Sequence, residues 1–411
     1  MGSLQVKTAM SDLSPQLQQV SSQLSVSSYF DEALFQRESG GIFTRGPRYV
    51  GHQLSVPSLG DYAALPQEAG GRALVHTQAG VELISNVCRH RQSLLLKGRG
   101  SLNTSSSANA GANAGPSASG NIVCPLHHWT YSANSPGEGP GSLKTGTLIG
   151  APHFAQDPCL SLNNYPLQAW NGLLFEKNAD SRNVALDLAH MGPLADLDFS
   201  GHVLDRVEMH ACNYNWKTFI EVYLEDYHVG PFHPGLGSMV SCEDLRWEFK
   251  EHYSVQTVGV ANRLGRADAS GGSPVYERWQ NALLKYRGGV PPKYGAIWLT
   301  CYPGVMVEWY PHVLTVSTLH PMGPQKTMNM VEFYYPEEIA AFERDFIEAQ
   351  QAAYMETCVE DDEIALRMDA GRKALMLRGD NEVGPYQSPM EDGMQQFHEW
   401  YRRQMGAQPV A

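Results

Sequence analysis

The feature that most restricts this chain is a pair of short runs, "CRH" at Cys88 to His90 and "CPLHHW" at Cys124 to Trp129. Each places one cysteine just ahead of one histidine: Cys88 with His90, and Cys124 with His127. Two thiolates and two imidazoles on such loops are the donors of a tetrahedral zinc, or of a [2Fe–2S] cluster with two histidines on one iron. Mixed zinc sites usually group cysteine with cysteine and histidine with histidine, often with one pair on a helix. Here the order alternates, Cys-x-His then Cys-x-x-His, so each loop can give a thiolate to one iron and an imidazole to the other. His128 stays outside this set. A structural zinc or an ordinary polar loop is the competing reading; it implies a colourless protein, whereas a cluster implies a brown-red one.

The flanking texture suits such loops. Runs such as "ALVHTQAGVELISNVC" and "GNIVCPLHHWTYS" alternate apolar and polar residues between Gly, Pro and Asn, and read as a small all-β domain over 47–165. The tract "GSLNTSSSANAGANAGPSASGN" between the two ligand runs has too little apolar surface to order itself, and reads as a flexible insert over about 98–120. Upstream, "SYFDEALFQRESGGIF" sets Tyr29, Leu34 and Phe35 at roughly helical spacing before a glycine pair, giving an N-terminal arm, 1–46, that packs with the rest of the chain.

Residues 166–411 mix helices and strands. In "NWKTFIEVYLEDYH", Trp216, Phe219, Ile220, Tyr223, Leu224 and Tyr227 form one apolar helical stripe, which Gly230 and Pro231 should stop. "GAIWLTCYPGVMVEWYPHVLTVSTLHPMG" and "TMNMVEFYY" read as successive strands of one antiparallel sheet, and the run from Pro336 to Leu375 as a long helix opening on proline and acids. The expected class is α+β.

Composition removes other functions. The net charge of −13 comes with no basic block, so nucleic-acid binding has no electrostatic footprint. Seven scattered cysteines argue against a secreted disulfide framework. No window reads as a membrane span, and the N-terminus lacks a basic leader and an apolar signal core, so a cytoplasmic location is expected.

The second constellation is "LEDYHVGPFHP", with His228 and His233 in a segment rich in aromatics. Glu225 and His228 are three residues apart on the expected helix and share a face, and the break at Gly230 and Pro231 can turn His233 back toward His228. Two imidazoles and one carboxylate from elsewhere make the facial triad of a non-haem iron(II) centre, which leaves positions open for oxygen. A histidine pair alone is more often hydrogen-bonded core than ligand.

Taken together, these motifs resemble the α subunits of Rieske non-haem iron oxygenases, the family of aromatic ring-hydroxylating dioxygenases and quaternary-amine monooxygenases. The resemblance spans nearly the whole chain: Cys88, His90, Cys124 and His127; "NWK" at Asn215 to Lys217; Glu221, Glu225, Tyr227, His228 and His233; and the terminal "SPMEDGMQQFHEWYRRQ". It implies a Rieske [2Fe–2S] domain and a catalytic domain with a helix-grip, START-like sheet. It also implies mononuclear Fe(II) held by His228, His233 and a carboxylate of "VEDDEIALRMDAGRKA", where counting back from Gly371 selects Asp361, with Asp362 as the fallback and Asp369 where glutamine is common. Adjacent carboxylates point to different helix faces, so only one can face the iron.

The resemblance further implies that Glu225 links His228 to His127 of an adjacent subunit, in a ring that is most often a homotrimer. Asp226 would then face away toward solvent, while Trp216 and Tyr227 would be core. Val222 departs from the family, in which many members carry asparagine there, and the insert is longer than the family leads one to expect. With no flavin or Rossmann fingerprint of its own, the chain would take NAD(P)H electrons from a separate reductase, with or without a ferredoxin between them. The substrate and O2 would meet in a pocket for which Trp298, Tyr302, Met306 and Trp309 are candidate walls, suited to an aromatic ring or, by cation–π attraction, a quaternary amine. Hydroxylation, dihydroxylation and oxidative demethylation stay open. The alternative is a Rieske electron-transfer protein, which would leave the roughly 240 residues after the small domain without a purpose. The respiratory type is disfavoured because Arg89 and Leu126 stand in the gaps where it carries extra cysteines.

Overall fold

A computed structural model of the chain describes residues 23–103, 115–116, 120–133, 143–156, 158–262, 264 and 272–406. Most of the expected insert, residues 104–114 and 117–119, lies outside the described residues. Its leading edge is structured: Arg99–Ser101 is a strand that pairs with Asp61, Tyr62 and Ala63.

The chain divides into two units, Arg48–Ala185 and Met1–Pro47 with Leu186–Ala411. The smaller unit is built from antiparallel sheets. One is Arg48–His52 paired with Leu173–Glu176, which pairs in turn with Leu167–Trp170. This places the boundary beyond the expected 165/166, because the unit's own first strand takes its partners from 167–176. A five-stranded sheet holds Gly80–Ser85 and Arg72–Thr77 at its centre, and a four-stranded one includes Ile122–Val123 and Thr130–Tyr131. The strands ahead of the two ligand runs therefore lie in different sheets, and Trp129, Tyr131, Ile84 and Val75 are buried in the core they share.

The larger unit carries a seven-stranded antiparallel sheet in the spatial order His202–Cys212, Lys326–Pro336, Val313–Gly323, Val305–Tyr310, Ala296–Cys301, Tyr253–Val260 and Val240–Phe249. Alternation divides its faces. Trp298, Tyr310 and Phe333 pack with Trp279 of the helix Pro274–Tyr286 and with Phe346 and Tyr354 of the helix Arg344–Arg378. Tyr334, the next residue along, meets Phe199 edge-on at 5.1 Å on the opposite face. A long helix laid against one face of an antiparallel sheet is the expected helix-grip arrangement, and the class is α+β. The helix Arg344–Arg378 stops at Gly379, whose φ of 78° lets its N–H turn back to the Leu375 and Met376 carbonyls.

Further sequence expectations change here: the single long helix expected from Pro336 is two, Glu337–Phe342 and Arg344–Arg378, because Glu343 leaves the helical backbone region. The helix opened by the Asn215 cap ends at Tyr223, not Tyr227. Beyond it the helical stripe no longer applies: Tyr227 is 60% exposed, and Asp226 is 4% exposed rather than solvated.

A buried ionic network ties the described part of the N-terminal arm to three helices. Glu221 accepts from Tyr29, from Arg372 and, at 2.8 Å, from His398, with no exposure of its own. Burial alone would raise its carboxyl, but Arg372 and His398 outweigh it and hold the group at about 2, against an ordinary 4.5. A depressed carboxylate stabilises the fold fully above pH ~4.5 and loses that stabilisation as pH falls toward ~2, on the order of 3 kcal/mol in all. Glu221→Gln is therefore expected to melt several degrees below wild type at pH 7, with the gap narrowing between pH 4.5 and 3. Equal melting midpoints at pH 7 would show that the network contributes nothing net.

Candidate active site

In the smaller unit, the two cysteine loops close in the same way. Gln92 N–H donates to the Cys88 carbonyl at 3.1 Å and His128 N–H to the Cys124 carbonyl at 3.0 Å. Cys88 N–H reaches Ser93 O and Cys124 N–H reaches Trp129 O, both at 2.9 Å or less. Gln92 and His128 each have positive φ, 53° and 57°, so His128 closes its loop where His127 is free to project. Cys88 and Cys124 are buried, whereas His127 is exposed at the tip of its loop. The His90 and His127 rings face each other with centroids 4.7 Å apart, and His90 stacks on Trp129 at 4.9 Å with 7° between planes.

These donors suit a two-iron cluster. The thiols lie side by side, and burial pushes the Cys124 thiol up, so a thiolate there needs a cation beside it. His90 Nδ1 is buried and has no hydrogen-bond partner. A pair of thiols inside and a pair of imidazoles outside fits one iron with two sulfurs and one with two nitrogens.

In the larger unit, a turn brings three donor atoms to one point. His228 caps the short helix Val229–Phe232 at its start and His233 at its end. Their Nε2 atoms are 2.9 Å apart, and Asp361 Oδ1 lies 2.9 Å from His233 Nε2 and 3.5 Å from His228 Nε2. Both rings are oriented from behind: His228 Nδ1 meets Glu225 Oε1, and His233 Nδ1 meets Glu360 Oε2 at 2.6 Å. With Nδ1–H donating to those carboxylates, each Nε2 presents a lone pair. Two lone pairs and a carboxylate oxygen directed at one another repel unless a cation sits among them, so the set suits a divalent metal.

Glu360, on the acidic turn, was not expected here; within "EDDE" sequence alone cannot rank four neighbouring acids. Asp362 points elsewhere, accepting from Tyr214 Oη at 2.7 Å and pairing with His210 Nε2 at 2.8 Å. His210, Cys212 and Asp362 form the other potential metal-binding group among the described residues. Asp369 is spent on structure, accepting from Asn215 N–H, Thr218 and Gln325.

The triad opens onto a cavity of about 710 Å³, mouth included, in the size range of small-molecule sites. Its aromatic walls include Tyr223, Tyr276, Trp279, Trp298, Tyr310 and Tyr354. Of the four candidate walls, only Trp298 lines it. Trp309 alternates with Glu308, which puts it on the other face against Tyr294, while Tyr302 and Met306 pack with Trp216 and Phe397. Val222 lines the cavity where many family members carry an amide. Asp226, Glu308, Glu225 and Asp361 line it too, and no lysine or arginine does. Asp226 Oδ1 accepts from Gln256, the Cys242 thiol lies beside the same carboxyl, and burial pushes that carboxyl up to about 7.

Residues 196–407, which include this whole triad, match the family described as ring hydroxylating alpha subunit, catalytic domain. The chain belongs to this family. It is 60% identical over 398 residues to a putrescine 2-hydroxylase of Ralstonia nicotianae, spanning 96% of this chain and 100% of that protein. Its identity to a putrescine 2-hydroxylase of Bordetella bronchiseptica is 59%, over 93% of this chain and 85% of that one. Among solved structures, a quaternary ammonium Rieske monooxygenase in complex with L-carnitine shares the fold with a TM-score of 0.66, at 18% identity over 94% of this chain and 96% of that one. The chain is thus the catalytic subunit of a Rieske oxygenase rather than a stand-alone electron carrier, and the family implies both a Rieske cluster and a mononuclear iron. No helix among the described residues is long and apolar enough to cross a membrane.

Proposed function

We propose that this chain hydroxylates a small aliphatic diamine of the putrescine class. The carrying observation is the cavity beside the triad, which is aromatic, holds buried carboxylates and has no lysine or arginine in its lining. Such a pocket rejects anions, and it receives an ammonium by charge and by cation–π contact. The 60% identity to a putrescine 2-hydroxylase along nearly the whole chain supports a primary diamine over an aromatic hydrocarbon.

In this reading His228, His233 and Asp361 hold mononuclear Fe(II), and Cys88, His90, Cys124 and His127 hold the [2Fe–2S] cluster. When bound, the two centres supply electron relay and O2 activation. The net reaction inserts one oxygen atom of O2 into a substrate C–H bond and reduces the other to water, with two electrons and two protons. The electrons come from NAD(P)H through a separate reductase, with or without a ferredoxin between. The protein holds both metal imidazoles by their Nδ1 protons, positions the amine beside the triad, and screens the reacting carbon with the Trp279, Trp298 and Tyr310 walls. Glu225 bridges His228 to His127 of a neighbouring subunit, which calls for a ring assembly, a homotrimer in the simplest case.

The test combines metal content with turnover. Anaerobically purified protein is expected to carry about three irons and two acid-labile sulfides per chain, with the low average g value of a histidine-ligated [2Fe–2S] centre after reduction. With a reductase present, putrescine should drive oxygen uptake and yield a product one oxygen atom heavier. Zinc without sulfide would overturn the redox assignment. Three irons with no oxygen uptake on any diamine would overturn the substrate.

A further inference from the structure

Glu308 is a carboxylate where a strand should have an apolar residue. It interrupts "VMVEWY" in the strand Val305–Tyr310, is 1% exposed, and stands between Trp298 and Thr315 on the neighbouring strands. Tyr354 Oη donates to its Oε1 and Tyr310 Oη to its Oε2, both at 3.0 Å. Trp298 Nε1 donates to Tyr310 Oη at 2.9 Å, which commits the tyrosine's own proton to Glu308. No lysine, arginine or histidine forms a salt bridge with Glu308 among the described residues.

A buried carboxylate without a counter-charge is costly. Four hydroxyls, those of Tyr354, Tyr310, Thr315 and Tyr223, surround it and none of them carries a positive charge. Burial raises its carboxyl to about 7, even against the hydrogen bonds from Tyr354, Tyr310, Thr315 and Tyr223. Beside it the buried Trp279 Nε1 on the cavity wall has no hydrogen-bond partner, and the Tyr223 hydroxyl stands next to Glu308 itself. The rings around it stand nearly at right angles, Trp279 to Tyr310 at 74° and Tyr310 to Tyr354 at 89°, with centroids 6.0 and 6.2 Å apart. Aromatic walls around a buried carboxylate with no counter-charge form a receptor for a primary ammonium, which has three N–H donors.

The spacing gives this receptor its function. Tyr354 and Asp361 lie on the cavity side of one helix, seven residues apart, or about 10 Å along its axis. An extended four-carbon diamine spans about 6 Å between its nitrogens, taking ~1.25 Å of advance per bond from a C–C length of ~1.5 Å. A diamine held at the Tyr354 end thus reaches toward the triad with the methylenes of its far half. We infer that Glu308 is the anchor for the substrate ammonium remote from the oxidised carbon, and that the Glu308-to-triad spacing selects the length of the diamine. This rests on the diamine reading above and adds the residue and the length rule that the reading lacks.

The experiment uses the intact oxygenase with its reductase and compares 1,3-diaminopropane, 1,4-diaminobutane, 1,5-diaminopentane and butylamine in wild type, Glu308→Gln and Tyr354→Phe. Wild type should prefer one diamine length and use butylamine at least about 10-fold less efficiently. Glu308→Gln should raise KM for the preferred diamine by about 10- to 100-fold, the value of one charged hydrogen bond, and should erase its advantage over butylamine. Tyr354→Phe should move KM the same way by a smaller factor. Anaerobic calorimetry of the preferred diamine should show the same loss without depending on turnover. If wild type uses diamines but Glu308→Gln keeps both KM and the preference over butylamine, the diamine reading stands and the Glu308 assignment falls. If wild type uses butylamine as well as any diamine, there is no remote anchor, whatever the variants do. Should wild type neither bind nor oxidise any of these amines, the substrate reading fails and the anchor with it.

Discussion

Replacing Asp361 by alanine is expected to abolish turnover and mononuclear iron binding while leaving the Rieske absorbance and EPR signal intact. Among the described residues, its Oδ1 is the one carboxylate oxygen that meets the facing Nε2 atoms of His228 and His233. Without it two neutral imidazoles remain, and two nitrogen donors hold Fe(II) far more weakly than a 2-His-1-carboxylate set. Loss of a group that only orients a ligand costs about 10- to 100-fold in metal affinity, so loss of the ligand itself should exceed that range. Asp362→Ala is the control for position: it removes the acceptor of Tyr214 and His210 and is expected to retain iron. Iron analysis and spectra of both variants decide between the adjacent acids. Full iron and activity in Asp361→Ala would reject the assignment, and loss of iron in Asp362→Ala alone would transfer the role.

How far such sites can be read from a sequence depends on how local their geometry is. The cysteine and histidine loops were legible because spacing within a few residues encodes which donors share a loop. The His228 and His233 pair was legible for the same reason, although the helix thought to carry Glu225 and His228 ends before either; a turn makes the same contact. Asp226 was misjudged because a face rule was extended past the end of that helix, at Tyr223. Glu308 shows the opposite limit. An acid in an unbroken apolar strand is visible in "VMVEWY", but tyrosines that surround it come from residues 310 and 354, and only the folded sheet brings the latter across. Glu360 needed a helix phase that the acidic run cannot supply. Among the candidate pocket walls, strand alternation separates Trp309 from Glu308, so register rather than composition decided which aromatics face the cavity.

Glu225→Gln should retain both metal centres yet slow turnover by more than about 100-fold, and the geometry explains why an amide is a poor substitute. Glu225 uses both oxygens on one neighbour: Oε1 holds His228 Nδ1, and Oε2 accepts the His228 backbone N–H at 3.1 Å. Glutamine can keep one of these bonds, but its NH2 then opposes the other donor, at a cost of about 1–3 kcal/mol for the unsatisfied pair. Where the amide oxygen keeps the His228 Nδ1 bond the ring keeps its orientation, so iron should stay. What is lost is a negative acceptor able to take an N–H on each side, which the proposed link from His127 of a neighbouring subunit requires. His127 is exposed on its loop, as such a link demands. A merely structural Glu225 would show reduced iron or a lower melting temperature with proportionate activity. A bridging Glu225 would show normal iron, normal reduction of the cluster by its donor, and slow re-oxidation of that cluster in a single turnover with substrate and O2. Glu225→Asp, which restores the charge on a shorter arm, should recover part of that re-oxidation rate, while unchanged turnover in Glu225→Gln would remove the residue from the electron path altogether.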